Sequence, residues 1–547
     1  MIFGEIPVGE AEGAILAHSL KLGANTFRKG RVLTVDDVAA LGRAGVAQVI
    51  AARLEVGDVH EDKAAARLAG AIMGEGLSAS AAFTGRVNLI AETRGVLVLD
   101  RARLDAVNLV DEAVTVATLT PYGLIEPRQM AATVKIIPFA VPGGVLERCL
   151  DAARAETPLI RVAVLKPRTV GLVQTSLPGM KESVLDKTKA AVDDRLAALD
   201  CAPSNELRCA HGEAAVAEAI ETLRARGAEI VLVSGASAIV DRRDVVPAGL
   251  VKAGGAVDHF GMPVDPGNLM LVGHIGETPV LGLPGCARSP KVNGFDWVLQ
   301  RLIAGLPVAP EDLMRMGAGG LLKEIAARPL PRAEAVEEKR PEAPRAPRIA
   351  ALVLAAGRSR RMGARNKLLA HVDGKPMVAH AARQAAASHA EPVIVVTGHE
   401  HEDIESALSG LAVQCVHNPD YAAGLSTSLH RGLGGVPAEA DGVLVCLGDM
   451  PRVSAAVIDR LIAAFNPVEG RAICVPTWQG ERGNPVLFAR RFFPEMQDIA
   501  GDTGARHLIG EYPELVCEVA MDEVDEGGGV LLDVDTPDAL AALGPAE

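Results

Sequence analysis

Short apolar runs separated by amphipathic stretches limit what this chain can fold into more than any other feature. They include Ile349–Ala355 (IAALVLA), Pro392–Val396 (PVIVV), Gly442–Leu447 (GVLVCL), Ala472–Val475 (AICV) and Gly529–Asp533 (GVLLD). Leu159–Val164, Glu229–Val233 and Pro279–Leu283 repeat the pattern earlier in the chain. A strand that is apolar on both faces must be covered on both faces, which suits a mostly parallel sheet sandwiched by helices. Asp36–Gly45, Thr188–Leu199 and Glu213–Arg226 have the periodicity of such helices. The expected class is therefore α/β.

One segment cannot join either layer. Residues 327–348, ARPLPRAEAVEEKRPEAPRAPR, carry five prolines, many charges and no aromatic residue. Proline removes backbone donors and the charges oppose collapse, so an extended linker is expected here. It divides the chain into 1–155, 156–326 and, beyond it, 349–547. A chain of 547 residues has room for three or four domains and needs no disulfide or metal staple to fold.

Charge and composition remove several classes of function. The net charge of −14 repels phosphate polymers, and 3% aromatic residues leave little for base stacking, so a nucleic-acid binder is not expected. No uncharged apolar run approaches the roughly 18 residues that span a bilayer, and the start lacks a basic segment leading into an apolar one. The eight cysteines are scattered without a C-x-x-C pair, as expected of reduced packing thiols in a cytoplasmic protein.

The stretch most informative about chemistry is Leu352–Leu369, LVLAAGRSRRMGARNKLL. A buried strand opens at Ala355-Ala356-Gly357 into a loop with a second glycine, Gly363. Arg358, Arg360, Arg361, Arg365 and Lys367 place five cations within ten residues. Glycine lets backbone N–H groups approach an anion, and the cations neutralise a polyphosphate. A Walker loop needs G-x4-G-K-[ST] and a dinucleotide fingerprint needs G-x-G-x-x-G; neither is present.

These residues resemble the signature L-A-A-G-x-S-x-R-M-G…K-L-L of nucleotidyltransferases with the glycosyltransferase-A-like fold. The resemblance is closest to those that attach a nucleotide to the molybdenum cofactor. It continues through Gly374–Met377, Asn418–Asp420, Gly424–Leu429, Gly448-Asp449-Met450-Pro451, Arg482–Pro485, Gly501–Arg506 and Asp533–Pro537. It implies a Rossmann-like domain that catalyses attack of a substrate phosphate on the α-phosphorus of a nucleoside triphosphate. Leu354, Ala355, Ala356, Gly357, Arg358, Ser359, Gly363 and Lys367 would bind the nucleotide. Lys367, Arg361 and Asp449 would be catalytic. Asp449 and Asp535 would hold Mg²⁺, with Mn²⁺ as an alternative, and Ser426, Ser428 and Asn484 would meet the substrate. Relatives with L-A-G-G are associated with GTP and those with A-A-G with CTP, so CTP is expected. Physically, a methyl at Ala356 shrinks the base pocket and disfavours a purine.

Two other polar clusters have plainer readings. Thr397–Asp403 (TGHEHED) and Gly57–Asp62 (GDVHED) each precede a helical stretch, where acidic residues favour the helix dipole, so both are expected to be helix entries.

Residues 1–325 resemble molybdopterin-binding proteins, the group that includes molybdenum insertases and molybdopterin adenylyltransferases. The match lies in Val233–Ser237, Asp241–Pro247, Met262–Asn268 and Leu283–Ser289, with Gly13–Ser19, Phe27–Leu33 and Gly57–Ala65 upstream. It implies that the loop with Gly235 and Ser237 cradles a pterin phosphate, and that Asp241 and Asp244 bind metal or orient the pterin. Ala236 stands where the family has a second glycine, and Cys286 where it has asparagine. The combined expectation is a molybdenum cofactor cytidylyltransferase whose N-terminal part binds molybdopterin. Guanylyl transfer and a non-catalytic cofactor carrier are the alternatives. CTP, molybdopterin or the molybdenum cofactor, and an apo molybdoenzyme or its chaperone are the expected partners.

Overall fold

The computed structural model describes residues 1–22, 25–322, 345–358, 366–499, 501, 504–525, 527–534, 536 and 539–540. Most of the segment expected to be a linker lies outside them, as do Ser359, Arg361, Gly363 and Asp535.

The chain opens with β-rich structure. Ile2–Pro7 pairs antiparallel with Gln48–Arg53, which also pairs with Ile15–Leu16. Ile6, Leu16, Leu33 and Leu41 close a small core beneath them. The helix Val35–Arg43 starts on a capping box made by Thr34 and Asp37. Next, Arg86–Ala91 lies between Leu77–Ala79 and Met130–Ile136 in a four-stranded antiparallel sheet covered by the helix Glu61–Ile72. Ile160–Val164 is a strand, but it pairs antiparallel with Gly95–Leu99 and so belongs to a separate three-stranded sheet.

A six-stranded sheet follows, in the order Asn205–Ala210, Val170–Ser176, Ile230–Ser234, Thr278–Gly282, Leu271–Ile275, Ala256–Phe260. Its first four strands are parallel and its last two antiparallel. Ile230–Val233 is buried throughout, which is why its sequence is apolar without alternation.

After the linker an eight-stranded sheet runs Gln414–His417, Val393–Thr397, Ile349–Ala355, Gly442–Leu447, Val486–Ala489, Ile473–Trp478, Glu481–Arg482, with Val516–Ala520 beside Ile473–Trp478. The first four strands are mutually parallel. Val486–Ala489 reverses direction between two parallel neighbours. Among the described residues, Gly529–Asp533 forms turns and irregular backbone rather than the expected strand. Its apolar character has another cause: Val530 is fully buried, while the Asp525 carboxylate accepts the N–H groups of Gly529 (2.8 Å) and Val530 (2.9 Å). Side-chain capping outcompetes a ladder there.

The helix Leu425–Leu433 lies directly on this sheet because residue 432 has no side chain. A Cβ on Gly432 would stand 2.1 Å from Leu352 Cδ1 and 2.9 Å from Val396 Cγ2. Gly432→Val should therefore destabilise the domain by about 1–3 kcal/mol through overpacking. A lowered midpoint in urea unfolding would register this, and an unchanged midpoint would refute the close approach.

Candidate active site

Parallel pairing sends the strands Ile349–Ala355 and Gly442–Leu447 out of the sheet at the same edge. Gly448 N–H donates to the Leu354 carbonyl at 3.0 Å, so the chain beyond each strand starts from one spot. This is the carboxyl edge, where ligands bind in open α/β sheets. From one strand come Ala356, Gly357 and Arg358, and from the other Gly448 and Asp449.

Asp449 has two different oxygens. Oδ2 receives the Lys367 ammonium at 2.5 Å, whereas Oδ1 is buried with no hydrogen-bond partner among the described residues. A buried carboxylate oxygen left unpaired is costly, and a hard cation removes that cost. Mg²⁺ takes one or two carboxylates and completes its shell with phosphate oxygens and water, so this oxygen fits it. Among the described residues no cluster of three His, Cys, Asp or Glu side chains forms a metal cage. The segment containing Asp533 is tied to the same place, since Val534 N–H donates to the Asp449 carbonyl at 3.1 Å.

The described part of the loop has room on its outer side. A Cβ on Gly357 would meet no atom within 4 Å, which leaves space for a ligand against the backbone. Ala356 is buried, its methyl packed against Gly398 at the end of the neighbouring strand. Arg358 lies over the Tyr421 ring, 5.3 Å from its centre, and Tyr421 also approaches the His399 ring at 6.0 Å. His399, Tyr421 and Gly398 lie together here; Gly398 and His399 belong to the cluster read from the sequence as a helix entry, whereas Tyr421 was not singled out.

The remaining residues of the motif fall at the same edge in two groups. Asn484 follows the hairpin Glu481–Arg482 and donates its N–H to the Val530 carbonyl at 2.9 Å. The antiparallel register, Val445 opposite Val486, brings it level with the end of Gly442–Leu447. Ser426 and Ser428 begin the helix Leu425–Leu433 and are buried. The Ser428 hydroxyl accepts from Asn418 Nδ2 at 3.0 Å, and Asn418 Nδ2 also reaches Thr427 Oγ1 at 3.0 Å, so these side chains hold the turn together.

A second polar group occupies the carboxyl edge of the six-stranded sheet. His211 bridges Thr175 Oγ1 (Nδ1, 2.8 Å) and Ser237 Oγ (Nε2, 3.0 Å). The Ala236 N–H donates to Thr175 Oγ1 at 2.7 Å, so the loop amide expected to face an anion is engaged within the protein. Arg288 donates to the Gly235 carbonyl at 2.9 Å, and Asp244 accepts from Val240 N–H at 2.9 Å. Arg288 lies in the quoted Leu283–Ser289 motif, whereas Thr175 and His211 escaped the sequence reading because they come from separate strand ends or loops.

The two clusters expected to be helix entries begin helices at His401–Ala407 and Glu61–Ile72, and His60 Nδ1 accepts the Asp62 N–H at 3.3 Å. Glu61 is more unusual. Burial pushes its carboxyl up to about 7, against the favourable pull of Lys135. Beside it, Asp62 meets Arg460 of the other part of the chain at 3.4 Å. A cavity of about 790 Å³ lies between the two parts, lined by Asn88, Arg128, His389 and Asp459. It also touches Pro392 and Gln414, at the amino-terminal edge of the sheet and away from Asp449.

An α/β sheet whose strand ends bring Gly357, Arg358 and the Lys367–Asp449 ion pair to one edge fits the nucleotidyltransferase class. In keeping with this, residues 351–516 match the family model of the MobA-like NTP transferase domain, and this C-terminal part is such a domain. The purine catabolism protein PucB of Bacillus subtilis is 28% identical over 36% of this chain and 95% of its own length. The molybdenum cofactor guanylyltransferase of Vibrio atlanticus is 26% identical over 35% of this chain and 94% of its own. The molybdenum cofactor cytidylyltransferase of Escherichia coli is also 26% identical, over 35% and 92%. Residues 5–53 match a domain of unknown function, DUF8806.

Two predictions follow from this geometry. Asp449→Asn and Lys367→Met should each lower nucleotidyl transfer on the order of 100-fold or more while the circular dichroism spectrum is retained; full activity in either variant would remove the site. The folded chain holds the Glu61 proton up to about 7, whereas an unfolded chain releases it near 4.5. The folded state therefore binds more protons between those values, and stability falls as pH rises through that window. Urea titrations at several pH values should show this slope in the wild type, and Glu61→Gln should flatten it.

Proposed function

We propose that the chain transfers a cytidylyl group from CTP to the phosphate of molybdopterin or of the molybdenum cofactor, releasing pyrophosphate. The observation that carries this reading is the unpartnered Asp449 oxygen beside Lys367 at the strand edge shared with the loop. Phosphoryl transfer asks a protein for positioning and charge neutralisation rather than covalent work. Lys367, Arg358, Arg361 and the backbone at Ala356, Gly357, Ser359 and Gly363 hold and neutralise the triphosphate. Asp449, with Asp535, holds the divalent ion, which when bound offsets charge on the nucleotide and pyrophosphate. Asn484, Ser426 and Ser428 lie on the acceptor side.

The choice of CTP rests on Ala356. Its methyl is buried against Gly398, and the reading is that glycine here would leave more room for a purine. The similarity to guanylyl- and cytidylyltransferases is equal and does not decide the base. The N-terminal part is assigned to binding molybdopterin, with Gly235 and Ser237 near its phosphate and Asp244 orienting the pterin. Joining two sites in one chain raises the effective concentration of one at the other, into the millimolar range for a suitable connection, which suits handing over a labile cofactor.

Incubating the full chain with Mg²⁺, molybdopterin and each triphosphate in turn, and measuring pyrophosphate, tests the proposal. CTP should give the fastest release, and Ala356→Gly should shift the ratio of CTP to GTP use toward GTP. Faster turnover with GTP in the wild type makes the chain a guanylyltransferase. Retention of molybdopterin with no turnover on any triphosphate makes it a carrier.

A further inference from the structure

Outside the transferase site, two thiols face each other across neighbouring strands. Cys474 in Ile473–Trp478 and Cys517 in Val516–Ala520 are in-register partners of a parallel pair. In-register residues of adjacent strands project to the same face, and the strands lie about 4.8 Å apart. That separation falls within the range of roughly 4.4–6.8 Å between the α-carbons of disulfide-linked cysteines. The Cys517 thiol donates to the Glu518 carbonyl at 3.9 Å. Cys474 is fully buried and Cys517 partly exposed.

We propose that Cys517 and Cys474 form a reversible dithiol–disulfide modification site, with Cys517 as the attacking thiol and a small-molecule disulfide as the oxidant. The surroundings of Cys517 favour the thiolate. The adjacent Cys474 pulls its acidity constant down, and Arg471 and Arg28 add to this, against burial and Glu518. The other seven cysteines are all shifted upward. Cys415 is the more exposed thiol, so what distinguishes Cys517 is its thiolate character together with a partner thiol in register beside it.

The chemistry balances with the oxidant alone. The Cys517 thiolate attacks one sulfur of the disulfide RSSR, forming a mixed disulfide and releasing RS⁻, which takes up a proton. The Cys474 thiol gives up its proton, and its sulfur displaces the second RS⁻ from Cys517. Two protein thiols are oxidised to one disulfide, and RSSR is reduced to two RSH. The link would tie the strand Val516–Ala520 covalently to its neighbour. On this strand Arg28 from the first part of the chain bonds the Val516 carbonyl, and Glu518 pairs with Arg482 at 2.7 Å.

The test uses the reduced full-length chain and oxidised glutathione, with alkylation, digestion and mass spectrometry. The expected first product is a peptide joining Cys474 to Cys517, with a loss of about 2 Da that dithiothreitol reverses. Cys474→Ser should stop at a glutathione adduct on Cys517, a gain of about 305 Da. Cys517→Ser should leave Cys474 unmodified. Both thiols remaining free in the wild type, or other cysteines reacting first, would overturn the proposal, and this wild-type measurement does not depend on either variant folding.

Discussion

Parallel pairing between Ile349–Ala355 and Gly442–Leu447 is the constraint on which the transferase domain depends. Parallel neighbours need a crossover connection, so the chain between them must supply covering helices, here Met377–Ala386 and Leu425–Leu433. The same pairing forces both strands to release their following residues at one edge. Lys367 and Asp449, separated by 82 residues in sequence, meet there because of sheet direction. The ion pair satisfies one carboxylate oxygen and leaves the other buried without a partner, an arrangement suited to binding a cation rather than to stability alone.

The two open sheets of the chain repeat this logic with different chemistry. In the first, the strand ends present hydroxyl and imidazole groups, Thr175, His211 and Ser237, already bonded to one another. In the second, they present a carboxylate and an ammonium. A self-satisfied polar group suits recognition with little rearrangement, whereas an incompletely satisfied carboxylate suits a bound ion. The architecture is shared, and the side chains at the edge differentiate the two.

Much of this was legible in the sequence because burial on both faces leaves an unmistakable trace. Ile349–Ala355 and Gly442–Leu447 have in the structure the limits read from their apolar runs. The same criterion failed at Gly529–Asp533, because a buried turn held by Asp525 has the same apolar composition as a strand. It also passed over Val516–Ala520 and Gln414–His417, where partly exposed strands carry Glu518, Gln414 and His417 and lack a continuous apolar run. Asp449 could be found because it directly follows a recognisable strand. His399 and Tyr421 could not, since their proximity to Arg358 depends on which strands are neighbours. Residues 1–155 gave little signal, because their short antiparallel strands are only half covered.

The guanidinium of Arg28 reaches the backbone carbonyls of Val516 and Pro513. Among the described residues, Val516–Ala520 pairs with one strand and so forms a border of the sheet. An unprotected border invites strands from other molecules and thereby self-association. By donating to the Val516 carbonyl on that border, a cation from a distant stretch of the same polypeptide covers an acceptor that an incoming strand would need.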